Sequence, residues 1–209
     1  MTTRDQSDSN WSAAEEDIME ATYSALLKHG YADLSIARIG DEFERSKASI
    51  YHYYDSKDDL LVTLLEFTVD QFESSLNTEA SQNPAQDLKQ LIDKLLSPHP
   101  LEDSHQFQAV LVGFRSQALT NTRIRAQFTQ VDEYLATTIQ ELIDRGIAED
   151  VFHDVNASQV AEYILATING VMYSRLTTDR GDAIAAAHTS LISYLDSELI
   201  AERGGNQPL

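Results

Sequence analysis

The chain has 209 residues, a net charge of -19 and no cysteine. The lack of cysteine excludes disulfides and Cys-based zinc sites. The hydrophobic content of 42% excludes a disordered chain and allows a packed core. No segment approaches the roughly 18 apolar residues that span a bilayer, and residues 1–10 contain no apolar run. We therefore expect no signal peptide, no membrane partner and a cytoplasmic location.

The first predicted helix has a start and a stop signal. Ser12 and Glu15 form a capping box, which predicts the helix start. Gly30 is predicted to end the helix, because glycine tolerates the backbone geometry beyond a helix C-terminus. Between them, apolar and small residues recur at helical spacing: Ile18, Ala21, Thr22, Ala25 and Leu26.

A helix-turn-helix motif is predicted over residues 35–54. Its first helix runs from about Ser35 to Phe43, residues 44–45 form the turn, and Ser46 caps the second helix. The positions predicted to face inward are Ile36, Ile39, Phe43, Ile50 and Tyr54. Ser56 is predicted to cap the following helix. Such a motif places its second helix in the DNA major groove.

The remaining chain reads as helical throughout. Pro84 is predicted to begin a helix, and further helices are predicted at about 102–119, 122–145, 157–178 and 182–201. No strand alternation and no internal repeat is present, so the predicted fold is all-α with about nine helices. The last two helices are apolar enough either to close the core or to form a homodimer interface. We favour the dimer, because two helix-turn-helix heads related by a two-fold axis are needed to bind the two half-sites of a palindrome.

The candidate DNA contacts are hydroxyl, imidazole and cationic groups around the second motif helix. Hydroxyls and cations contact phosphates, and base edges lie within reach of the same helix. Two of the serines are helix caps in the first place, and the cation at position 57 would share a phosphate with a helix N-terminus. The set is Ser35, Arg45, Ser46, Lys47, Ala48, Ser49, Tyr51, His52, Tyr53 and Lys57.

The run I-Y-H-Y-Y-D-S-K-D-D-L-L at residues 50–61, with Ser35, Ile39-Gly40 and the segment 46–49 before it, carries a family resemblance. Over about residues 12–73 the sequence resembles the TetR family of transcriptional regulators. The turn Phe43-Glu44-Arg45 departs from the small-Gly-Val turn of that family. Ala48 replaces a common glycine, which adds a methyl group where the backbone meets DNA.

The resemblance implies an all-α homodimer with a DNA-binding head at 12–73 and a ligand-binding and dimerisation body at 77–201. It also implies a repressor that leaves a palindromic double-stranded DNA operator when a small-molecule effector binds. Two alternatives stay open. The acidic charge and the Glu44 turn suggest a TetR-like protein that acts through protein partners without specific DNA binding. An all-α enzyme is the other, although no nucleophile–base or metal constellation supports it.

The candidate ligand pocket combines aromatic residues with a few polar groups on the body helices. The set is Phe107, Leu111, Phe114, Arg115, Phe128, Tyr134, Tyr163, Thr167, Asn169 and Tyr173, and plain core packing is the alternative for each. The six histidines lack metal-ligand spacing, so we predict no metal and no cofactor. Few lysines and many carboxylates suggest adaptation to a salt-rich cytoplasm, with an ordinary acidic protein as the alternative.

Overall fold

The computed structural model describes residues 11–43, 47–76, 83–96 and 112–201. The helices are α1 (Ala13–Asp33), α2 (Ile36–Glu42), α3 (Lys47–Tyr53), α4 (Lys57–Leu76), α5 (Pro84–Leu96), α6 (described over 112–117), α7 (Thr122–Ala148), α8 (Ala157–Thr177) and α9 (Gly181–Tyr194). A π-helical turn, Leu195–Leu199, follows α9. In these ranges the only extended pairing is an isolated bridge between Phe152 and Ile200. The all-α prediction, with nine helices in the described residues, is confirmed.

Two compact units divide the chain. Met1–Glu73 and Gln117–Gln127 form one, which we call the head unit, and Ser74–Ser116 and Phe128–Leu209 form the other, the body unit. The head unit therefore includes the start of α7, which the sequence analysis assigned to the body. The functional roles predicted for 12–73 and 77–201 remain predictions. None of the described helices is long and apolar enough to cross a membrane.

The predicted start and stop signals are present in the head unit. The Ser12 backbone N–H donates to Glu15 Oε2 at 2.9 Å, and the Glu15 N–H donates to Ser12 Oγ at 3.3 Å. The hydrogen bonds from Ser12 lower the pKa of Glu15. Gly30 has φ 71 and interrupts the helical geometry of α1. The helix was predicted to end there, but a helical turn continues to Asp33. Ser56 Oγ accepts from the Asp59 N–H at 3.1 Å, as predicted for the cap of α4.

The head core follows the predicted inward positions. All five of them are buried, and Ile39 and Ile50 are completely inaccessible. Packing of α1 on α2 and of α2 on α3 joins the motif to the first helix. Leu61 and Leu65 of α4 are buried as well. Because these positions recur at i, i+3 and i+4, the helical period alone was sufficient to predict them.

The chain end differs from the prediction of one helix over 182–201. Regular α-helix ends at Tyr194, and the π-helical turn closes through the Ile200 N–H donating to the Leu195 carbonyl at 2.8 Å. The segment then pairs with the α7–α8 connection, where the Ala201 N–H donates to the Val151 carbonyl at 2.9 Å. These non-local hydrogen bonds satisfy backbone groups that a longer helix would have used.

The connection between α7 and α8 requires a glycine at position 146, because Phe152 packs against it. A Cβ atom at this position would lie 2.0 Å from Cδ2 of Phe152, a side chain that is buried. We expect Gly146→Ala to lower the free energy of unfolding by about 1–3 kcal/mol, as for other overpacked sites. Urea unfolding followed by circular dichroism measures this. Gly181→Ala is the matched control, because a Cβ there meets nothing within 4 Å; equal stability of the two variants would contradict the expectation.

Candidate nucleic-acid interface and body cleft

Three consecutive side chains of α3 are presented to solvent. Tyr51 is 60% exposed, Tyr53 is 48% exposed, and His52 between them is also exposed, with its ring 5.5 Å from that of Tyr53. Buried Ile50 and Tyr54 anchor the opposite face of this segment in the head core. An α-helix with an exposed polar and aromatic face fits the dimensions of the major groove.

For five other predicted DNA contacts the structure does not describe the side chain. Arg45 and Ser46 lie outside the described residues. For Lys47, Ala48 and Ser49 only the backbone is described, and it forms the first turn of α3. Their roles at the interface stay predictions.

Ser35 and Lys57 are engaged by neighbouring groups in the head unit. Ser35 Oγ accepts from the Arg38 N–H at 3.3 Å and caps α2, as predicted. Lys57 Nζ donates to the Tyr31 carbonyl at 2.9 Å and lies 4.6 Å from the centre of the Tyr31 ring. Lys57 therefore ties the start of α4 to the turn that follows Gly30. Its predicted phosphate contact would compete with these interactions.

Neighbouring groups shift the pKa values of Tyr54 and Asp59, two residues that follow α3 in the chain. Arg123 and Ser56 both donate hydrogen bonds to the Asp59 carboxylate. These bonds lower the pKa of Asp59, and the bond from Arg123 has the larger effect. Burial raises the pKa of Tyr54 to about 12, with the charges of Glu15, Tyr53 and Glu66 adding to the effect. Tyr54 is consequently a neutral, buried anchor at neutral pH.

A cleft of about 320 Å³ lies between α7 and α8 in the body unit. Its lining residues are Thr129, Asp132, Glu133, Glu162, Leu165, Ala166 and Asn169. Arg115 forms an ion pair with Asp132 and donates to Asn169 Oδ1 at 3.4 Å. The Arg115 guanidinium also lies 5.1 Å from the ring centre of Phe128. The structure thus brings together Arg115, Phe128 and Asn169 of the predicted pocket.

The other predicted pocket residues are placed elsewhere or are not described. Phe107 and Leu111 lie outside the described residues. Phe114 is buried, Tyr134 is half-buried, and the Thr167 hydroxyl donates to the Tyr163 carbonyl at 2.9 Å. Tyr163 and Tyr173 are exposed, and neither belongs to the cleft lining.

The carboxylates of the cleft, Asp132, Glu133 and Glu162, were not among the predicted pocket residues. Glu162, Leu165, Ala166 and Asn169 occupy positions i, i+3, i+4 and i+7 of α8. This spacing places them on one helix face, so the mixed polar and apolar stripe was a usable signal. Thr129, Asp132 and Glu133 likewise occupy positions i, i+3 and i+4 of α7. The pairing of Asp132 with Arg115, 17 residues away, had no such local signal.

The exposed face of α8 has a distinct composition. Tyr163, Ala166, Gly170 and Tyr173, at i, i+3, i+7 and i+10, are all exposed. The Tyr163 ring packs edge-on against Tyr194 of α9, with 5.3 Å between ring centres. Two small residues are therefore flanked by two large aromatic ones on a single helix face.

A buried helix pair with a solvent-facing second helix is the arrangement by which helix-turn-helix transcriptional regulators bind DNA. Residues 18–64 match the family model of bacterial regulatory proteins of the tetR family. Residues 84–199, more than half of the chain, match the model of the C-terminal domain of BetI-type transcriptional repressors. The chain belongs to the TetR family of transcriptional regulators.

Solved structures and curated proteins agree with this assignment. A TetR transcription regulator from Haloarcula marismortui is 36% identical, with a TM-score of 0.83 over 90% of this chain and 100% of that chain. A transcriptional regulator from Saccharomonospora viridis, crystallised with choline, is 24% identical, with a TM-score of 0.76 over 92% and 100% of the two chains. An uncharacterised HTH-type regulator of Mycobacterium tuberculosis is 27% identical over 139 residues, 66% of this chain and 67% of that protein.

Proposed function

We propose that this chain is a sequence-specific repressor that binds a palindromic operator as a homodimer and leaves it when a small-molecule effector binds. It would act in the cytoplasm, where its DNA is. The observation that carries the proposal is the exposed row Tyr51-His52-Tyr53 on a helix anchored by Ile50 and Tyr54. Aromatic hydroxyls and an imidazole on such a helix reach phosphates and base edges together.

The exposed face of α8 supports the homodimer. Exposed large aromatic residues are unusual on a monomer surface when they lie together, and they are enriched at interfaces. Ala166 and Gly170 between Tyr163 and Tyr173 would let the backbone of a partner helix approach closely. A two-fold dimer would present two α3 helices about 34–36 Å apart, or a multiple of this spacing, which is the distance between successive major grooves.

The charge of the body cleft supports a cationic effector. Asp132 already pairs with Arg115, while Glu133 and Glu162 are exposed in the cleft lining. A net negative, partly apolar cleft favours a small cation. The related Saccharomonospora viridis regulator was crystallised with choline, which is such a cation. An effector of this kind would lower DNA affinity by binding one arrangement of the heads better than another.

The net charge of -19 is the wrong sign for DNA binding at low salt. At molar salt the Debye length is about 3 Å, so charges beyond the contact surface no longer repel DNA. The acidic composition is therefore compatible with DNA binding in a salt-rich cytoplasm. A melting temperature that fails to rise with KCl would contradict this adaptation.

The test is binding of the purified chain to the DNA upstream of its own gene, in a KCl series up to molar concentration. We expect retention of this fragment over competitor DNA at high salt. Adding choline should then release the fragment, and Glu162→Gln should raise the choline concentration that is needed. No specific retention at any salt concentration would overturn the proposal and favour the alternative, a TetR-like protein that acts through protein partners.

A further inference from the structure

The start of α7 is built into the head unit. Asn121 caps it, because its Oδ1 atom accepts from the N–H groups of Arg123 at 3.0 Å and Ile124 at 3.2 Å. Ile124 is 1% exposed and anchors the first turn. The segment 117–127 is therefore a defined structure within the head unit and not a loose connection.

Two side chains of this segment contact α4. Arg123 forms an ion pair with Asp59, and Gln127 Nε2 donates to Glu66 Oε1 at 2.9 Å. The Arg123 side chain is 59% exposed, so salt screens its ion pair and its contribution is small. The bond between Gln127 and Glu66 is partly buried and involves one neutral partner. It is the contact that persists at high salt.

Glu66 lies on α4, which begins three residues after Tyr54, the buried residue directly after α3. Leu61 and Leu65 of α4 are buried in the head unit, as Ile50 of α3 is. One turn further along α4, Asp70 accepts from Trp11 Nε1 at 2.8 Å, and the Phe67 ring packs edge-on against Trp11 at 5.4 Å. This turn of α4 is thus held on one side by the residue before the Ser12 cap and on another by α7.

We propose that Gln127 is a positioning residue for DNA binding: through Glu66 it fixes α4, and through α4 it sets where α3 presents its exposed side chains. This inference rests on the proposed function, since it concerns the same recognition helix. Gln127 belongs to the head unit, although it lies within residues 77–201, which were predicted to form the body. Gln127 itself contacts α4 and is not a DNA contact.

The test compares Gln127→Ala with Gln130→Ala, an exposed amide on the same helix, in binding to the upstream fragment. Neither change alters net charge. We expect Gln127→Ala to bind about three- to tenfold more weakly, since a hydrogen bond to a charged group is lost, and Gln130→Ala to bind as the wild type does. The slope of log affinity against log KCl should stay unchanged in both, because it reports the number of phosphate contacts. Glu66→Gln keeps an acceptor oxygen and should retain affinity within about twofold.

Hydrogen exchange without DNA gives a second readout. We expect the amides of α3 and α4 to exchange faster in Gln127→Ala and at the wild-type rate in Gln130→Ala. Unchanged exchange in α3, an equal loss of affinity in both variants, or a lower salt slope in Gln127→Ala would each overturn the inference. Failure of the wild type to retain any DNA would instead overturn the proposed function, and the exchange of α3 would still decide the role of Gln127.

Discussion

Tyr53→Ala is expected to weaken binding to the operator about 10- to 100-fold, in line with the roughly 1–3 kcal/mol of a single well-placed contact to DNA. The reason is that this side chain is 48% exposed on α3, beside the exposed His52 and Tyr51. Lys47→Ala should reduce the slope of log affinity against log salt by about one, since the cation that we predict to bind a phosphate is removed. Fluorescence anisotropy with labelled upstream DNA over a KCl series measures both quantities.

Two controls separate contact from folding. Tyr53→Phe removes the hydroxyl and keeps the ring, so it tells a phosphate hydrogen bond from packing against a thymine methyl group. The melting temperature of Tyr53→Ala should stay close to that of the wild type, since exposed substitutions change stability by about 0.5 kcal/mol or less. Wild-type affinity in alanine variants of all three exposed residues would show that α3 does not read the DNA.

Local signals explain why the head could be predicted from the sequence. The Ser12–Glu15 and Ser56–Asp59 caps each link residues three positions apart. The positive φ of Gly30 needs no partner elsewhere in the chain. The inward face of α2 and α3 follows from the helical period alone. Each of these features is decided within one or two helical turns, so a single sequence contains the necessary information.

Contacts between distant residues could not be predicted in this way. Gln127 and Glu66 are 61 residues apart, Arg123 and Asp59 are 64 apart, and Lys57 lies 26 residues from Tyr31. No periodicity connects such pairs, because their proximity depends on how helices pack. The assignment of residues 117–127 to the head unit depends on the same packing and became visible only in the structure.

The predicted pocket shows a second limit, which is the direction of an aromatic side chain on an apolar helix. Tyr163 and Tyr173 share α8 with Asn169, yet they are exposed while Asn169 lines the cleft. Their sequence context is equally compatible with core, pocket and interface. Their exposure excludes the core and neither of them lines the cleft, so the two tyrosines belong to the exposed face that we propose for the dimer.

Gly170→Glu is expected to convert the proposed dimer into monomers and to weaken operator binding by at least about 100-fold. A Cβ atom at Gly170 meets nothing within 4 Å of its own protomer, so the fold of each chain should survive. In the proposed dimer, the two-fold axis would bring two new carboxylates into one interface, and unpaired buried charges are strongly destabilising there. A monomer presents one recognition helix and loses the second half-site. Sedimentation velocity and DNA anisotropy measure the two effects.

Gln130→Glu is the matched control, because it adds the same charge at an exposed position of α7. It should remain dimeric and bind DNA almost as the wild type does. Molar KCl should restore part of the Gly170→Glu dimer if like-charge repulsion is the cause, whereas Gly170→Leu, which adds bulk without charge, should stay monomeric in salt. A Gly170→Glu protein that sediments as a dimer would remove the α8 face from the interface, and the spacing of the two heads would then have to be set by other surfaces.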